Sequence, residues 1–123
     1  MFDVGSVVYL YNDKIIPPKN KYMVCVSLGN CFLCINTENR KMYECLKLEQ
    51  KNNPYLQHDS FIACNTLFKF DPWEIKSSKR VGSLGYKDLK ALYEHIQNHV
   101  RTLSRVDKDK ILTSLSTVLE DCE

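Results

Sequence analysis

A mainly β domain with a helical C-terminal end is the fold this sequence predicts, and three observations predict it. Six short apolar runs between residues 5 and 70 are separated by polar, Gly- or Pro-bearing segments. Beyond Pro72 the apolar period changes to helical spacing. The chain is 123 residues long, enough for one domain whose core needs no disulfide staple. The expectation is a single domain over 1–123: a strongly bent antiparallel sheet closed into a small barrel over about 1–75, then helices over about 84–123.

Gly5-Ser6-Val7-Val8-Tyr9-Leu10-Tyr11 reads as the first strand, and Asn12-Asp13 opens a loop that Pro17-Pro18-Lys19-Asn20 extends. The runs Tyr22 to Ser27 and Cys31 to Thr37 flank Leu28-Gly29-Asn30, a hairpin turn. Both are nearly continuously apolar, so this hairpin is expected at the centre of the sheet, covered on both faces. Met42 to Leu48 alternates and reads as a fourth strand. After the polar loop Glu49 to Pro54, Ser60 to Asn65 and Leu67 to Phe70 read as two more. Leu89, Leu92, Tyr93, Ile96, Val100 and Leu103 then form one helical stripe, predicting a helix from about Tyr86 to Leu103 with Asp88 favouring its N-terminus. Asp107 is placed to cap a second helix, to about Glu120, whose stripe is Ile111, Leu112, Leu115, Val118 and Leu119. Two uses of that last stripe stay open: packing on the barrel, or completing a dimer or partner surface.

The 44% hydrophobic and 26% charged fractions argue for a globular chain over a disordered one. No apolar run reaches the roughly 18 residues of a spanning helix, and the start lacks a basic region followed by an apolar one. A cytoplasmic protein without membrane association is expected. Residues 1–106 carry 15 Lys and Arg against 10 Asp and Glu, and residues 107–123 carry 2 against 5, so the body attracts phosphate and the tail repels it. Lys76-Ser77-Ser78-Lys79-Arg80 is a short basic cluster. Six cysteines, Cys25, Cys31, Cys34, Cys45, Cys64 and Cys122, include the zinc-like spacing Cys31-Phe32-Leu33-Cys34, but no second close pair accompanies it. Residues three apart on a strand face opposite ways, so these read as core thiols. His95 and His99 stand four apart on the first helix with no third ligand apparent, so no metal or cofactor is expected.

Taken in order, these segments resemble the small-barrel toxins of the MazF/PemK (Kid) family, over roughly residues 5 to 103. Gly5-Ser6-Val7-Val8 looks like the family's Gly-Asp-Val strand, and Lys21-Tyr22-Met23-Val24-Cys25-Val26 stands where the family has its Arg-Pro strand, with lysine for arginine. Ile35-Asn36-Thr37 resembles the strand ending in an active-site Thr or Ser. Ile62-Ala63-Cys64-Asn65 and Lys69-Phe70-Asp71 resemble two later pieces, with Ala63 for arginine and Asn65 for an acidic residue. Gly82-Ser83-Leu84 matches the closing Gly-x-Leu before a helix. The resemblance implies an SH3-like barrel of the MazF/PemK/CcdB type, a homodimer, an antitoxin or other inhibitor protein as partner, and metal-independent endoribonuclease activity on single-stranded RNA.

Such cleavage uses the 2′-hydroxyl as nucleophile, so its proton must be removed, the phosphorane stabilised and the leaving oxygen protonated. On this reading the catalytic residues are Lys21 at the phosphate, Thr37 and Asn65 as hydrogen-bond partners, and His58, the one histidine before the helical region, as acid or base with Asp59 beside it. Lys19, Lys76, Lys79 and Arg80 are the expected RNA contacts, and Lys21, Thr37, His58 and Asn65 are expected to share one groove. The alternative function is a non-catalytic barrel of the same shape that binds RNA or a partner protein. A nucleotide-binding enzyme is disfavoured, because there is no Gly-rich phosphate loop or paired metal carboxylates.

Overall fold

The computed structural model describes residues 2–122; Met1 and Glu123, the ends of the predicted domain, lie outside them. Strands β1 (Ser6–Asn12), β2 (Lys19–Ser27), β3 (Cys31–Asn36), β4 (Leu46–Leu48), β5 (Ser60–Lys69) and β6 (Lys79–Ser83) form one antiparallel sheet in the order β4-β5-β3-β2-β1-β6. Helices α1 (Tyr86–His99) and α2 (Arg105–Asp121) follow. The β2–β3 hairpin is central, as its unbroken apolar runs predict, and it turns through Gly29 and Asn30, both at positive φ (86° and 60°). The edge strands β4 and β6 do not pair with one another, so the sheet curls into a half-barrel without closing.

Register shifts supply the curl. One falls at Val7/Val8, another between Cys25 and Ser27, and the largest lies on β5, which advances five residues from Ala63 to Phe68 while β3 retreats two from Cys34 to Phe32. Extra residues on one strand of a pair bend it and tighten its twist. The two runs read as separate strands, Ser60 to Asn65 and Leu67 to Phe70, are therefore one strand with an irregular middle. Met42 to Leu48 is corrected in the other direction. Only Leu46–Leu48 is strand; Lys41–Tyr43 is a 3-10 turn closed by Glu44 at φ 50°. β6 lies outside the six apolar runs, because as an exposed edge strand it has no apolar alternation.

Each face of the sheet has its own core. Val7, Val24, Val26, Leu33, Ile35, Leu48 and Ile62 pack under the helices against Leu89, Leu92, Ile96, Ile111 and Leu115. Val8, Leu10, Met23, Cys25, Phe32, Cys34, Ala63 and Phe70 form the second core on the opposite face. α1 stops at His99, short of the predicted Leu103, because Val100 turns extended. Ser104, not Asp107, caps α2: its Oγ accepts the Asp107 amide at 3.1 Å, and Asp107 lies in the first turn. The α2 stripe is spent inside the chain, with Ile111 and Leu115 fully buried and Leu112, Val118 and Leu119 packed against the same core. Among the described residues no helix is long and apolar enough to cross a membrane.

Candidate functional site

A cleft of about 500 Å³ opens over the second core, across β2, β3 and the bulged part of β5. Lys19 and Lys21 line it from β2, and Cys34 and Asn36 from β3. Ala63, Asn65, Thr66 and Phe68 come from β5, where the unpaired stretch turns Asn65 and Thr66 into the opening. One wall is the β1–β2 loop, with Ile15, Ile16 and Pro17; the other is the segment after β3, with Thr37, Glu38, Arg40 and Tyr43.

Lys21 is the half-buried cation of this cleft, and its Nζ donates to Asn36 Oδ1. Partial burial lowers its pKa below the ordinary 10.5, the Cys34 thiol opposes the shift, and the charge of Lys19 adds to it. Burial raises the Cys34 pKa in turn, so its thiol is a poor nucleophile. Behind it the buried Asn12 amide lies 3.8 Å from both Met23 Sδ and Cys34 Sγ, which joins the cleft floor to β1. Glu38, an acid on the rim, sits 3.5 Å from Arg40 Nε. Lys19 and Lys21 have no carboxylate within ion-pair distance among the described residues.

The wall carrying Arg40 and Tyr43 is tied to the helices through Glu44. Its carboxylate accepts the amides of Arg101 at 2.7 Å and Thr102 at 3.1 Å, and its carbonyl lies 2.8 Å from His95 Nε2. Burial raises the Glu44 pKa, but the bonds from Thr102 and Arg101 outweigh it and hold the carboxyl below its ordinary value. His95 is thus spent on a backbone carbonyl, with the His99 ring centred 5.8 Å from its own and tilted by 39°.

Lys21, Thr37, Asn65 and Lys19 therefore meet in one cleft, and His58 does not. His58 lies before β5, exposed, with Nδ1 2.9 Å from the Asp59 carbonyl. It stands seven positions before Asn65, a span of roughly 20 Å along an extended chain. Asp59 turns away to accept the Gln50 amide at 2.8 Å, which with Lys47 beside it lowers its pKa. The expected convergence is corrected on this point: the cleft has no imidazole among its lining residues. Lys76, Lys79 and Arg80 do not line it either and lie on or before the edge strand β6. Four further lining residues carry no signal of their own in the sequence: Asn36 ends β3, Arg40 and Tyr43 enter through the segment after it, and Thr66 enters through the irregular stretch of β5.

Cys25, Cys31, Cys34 and Cys64 are buried free thiols, and burial pushes Cys25 up to about 11. Compared with family models, curated proteins and solved structures, the chain finds no match. The cleft is therefore read from its own chemistry.

Proposed function

We propose that this chain is an SH3-like small barrel of the MazF/PemK/CcdB type whose cleft binds single-stranded RNA. The observation that carries the reading is a cleft in which, among the described residues, Lys19 and Lys21 have no carboxylate within ion-pair distance, its one acid Glu38 lying against Arg40, beside the polar groups of Asn36, Asn65, Thr37 and Thr66 and the rings of Tyr43 and Phe68. Cations and amides match phosphate oxygens, and aromatic faces accept unstacked bases. Fluorescence anisotropy with a labelled mixed-sequence RNA tests it. Wild type binds, and Lys21→Ala weakens binding several-fold and reduces the salt slope by about one. Absence of binding by folded wild type overturns the reading.

Cleavage is the second reading, and the lowered pKa of Lys21 favours it. A half-buried amine that gives up its proton more readily than usual suits proton transfer to the leaving 5′-oxygen as the P–O5′ bond breaks, while the 2′-hydroxyl gives its proton to solvent water and its oxygen bonds to phosphorus. The products are a 2′,3′-cyclic phosphate, or the 3′-phosphate after hydrolysis, and a 5′-hydroxyl. Incubation with chelator and end-group mapping decides it: those ends from wild type and none from Lys21→Ala support cleavage, and equal cleavage by both places the chemistry elsewhere. A second copy of the chain and an inhibitor protein that fills the cleft are the partners this reading implies.

A further inference from the structure

On the helix-covered face, the sheet runs beyond its helices. Val7 and Val24 are buried there, but further along the same strands the side chains are Tyr9 and Tyr11 on β1 and Tyr22 and Asn20 on β2. Tyr9 is 45% exposed and Tyr11 56%, large rings left in water on a regular strand. Cross-strand partners share a face, and the register pairs Tyr9 with Tyr22, Tyr11 with Asn20 and, across the other edge, Tyr9 with Lys79. Lys79, Tyr9 and Tyr22 thus form one row, with Tyr11 and Asn20 in the next, about 7 Å along the strands. The Tyr9 and Tyr22 rings are 4.9 Å apart and tilted by 55°, so they brace each other. Lys76, Lys79 and Arg80 have no carboxylate within ion-pair distance among the described residues, and the Arg80 guanidinium donates to Ser83.

We infer that this tyrosine row is a second contact for the same single-stranded RNA, in which Tyr9 and Tyr11 stack on bases and Lys79 meets the backbone. The inference rests on the cleft reading and extends it. Exposed rings interleaved with unpaired cations on a sheet face are what sequence-tolerant single-strand binding needs, because every base offers a π-face and every linkage a charge. Strand alternation puts the two sites back to back on β2, with Lys21 in the cleft and Tyr22 in the row. A strand occupying both passes around the edge of the sheet, so length of RNA separates them. Lys79, a member of the basic cluster that the cleft leaves unused, thereby acquires a role, while Arg80, paired with Val8, shares the opposite face.

The test uses 2′-O-methyl oligouridylates, which cannot be cleaved through the 2′-oxygen, of about 4 and about 12 nucleotides, within the range of single-strand sites. Anisotropy titrations compare wild type, Tyr9→Ala/Tyr11→Ala, Tyr11→Phe, Lys79→Ala and Lys21→Ala. Wild type binds the longer strand at least about tenfold more tightly, and the double variant loses most of that gain while binding the shorter strand within about twofold of wild type. Tyr11→Phe, which keeps the ring, retains wild-type affinity, and Lys79→Ala weakens the longer strand alone. Lys21→Ala weakens both. If the shorter strand binds and the longer binds no more tightly, the row is overturned and the cleft stands; if neither binds wild type, both fail. Unchanged binding by the double variant overturns the row directly. A wild-type dimer in sedimentation that the double variant converts to monomer, with RNA affinity intact, assigns the row to a second copy and overturns it too.

Discussion

At the scale of single residues, Glu44 shows how the cleft wall is held. Its carboxylate accepts two amides from the α1–α2 junction while its own backbone sits at φ 50°, so the turn bearing Arg40 and Tyr43 is fastened to the helical layer. The folded pKa lies below the ordinary 4.5, so the stability this group contributes is present above pH 4.5 and is lost as pH falls through the lowered value. Glu44→Gln is expected to cost about 1 kcal/mol near neutrality, at the low end for bonds to a charged group because the site is partly exposed. Thermal melts of wild type and variant at neutral pH and near pH 3 check this: the gap shrinks in acid, and a gap independent of pH contradicts the assignment. Residues also mark where the sequence was legible. Lys21, Thr37 and Asn65, which the resemblance implies, line one cleft, whereas Glu44 and Arg40 lie in and beside a turn that alternation between Met42 and Leu48 disguises as strand. His58 is a candidate on its chemistry alone, and chemistry says nothing of which end of a strand a side chain occupies.

Among the elements, the edge strand β6 is pinned by a contact that only glycine permits. A Cβ at Gly82 would run into the Tyr55 ring, whose hydroxyl donates to Asn53 at 2.8 Å, and Asn53 in turn donates to Asp88 at the start of α1. Gly82→Ala is expected to displace Tyr55 and destabilise the fold by about 1–3 kcal/mol, the usual range for overpacking. Urea denaturation measures it, and a stability equal to wild type would show that the loop yields without cost. The central hairpin and both helices were legible because their apolar runs are long and their periods unmixed. β6 was not, since an exposed edge leaves no alternation to read, and the β5 bulge was not, since a bend looks like a break between two strands.

For the whole molecule, the half-barrel puts two cores back to back, and the helices cover one of them. The cleft lies over the other, where uncovered sheet, a bulge and two loops bring Lys21, Asn65 and Arg40 together. The measurement that bears most directly on the account is the affinity of folded wild type and Lys21→Ala for a mixed-sequence single-stranded RNA across a salt series, with circular dichroism confirming that both are folded. The account predicts salt-sensitive binding by wild type, weakened several-fold in Lys21→Ala with a salt slope shallower by about one. Equal affinity and equal slope for the two proteins, or no binding by either, would contradict it.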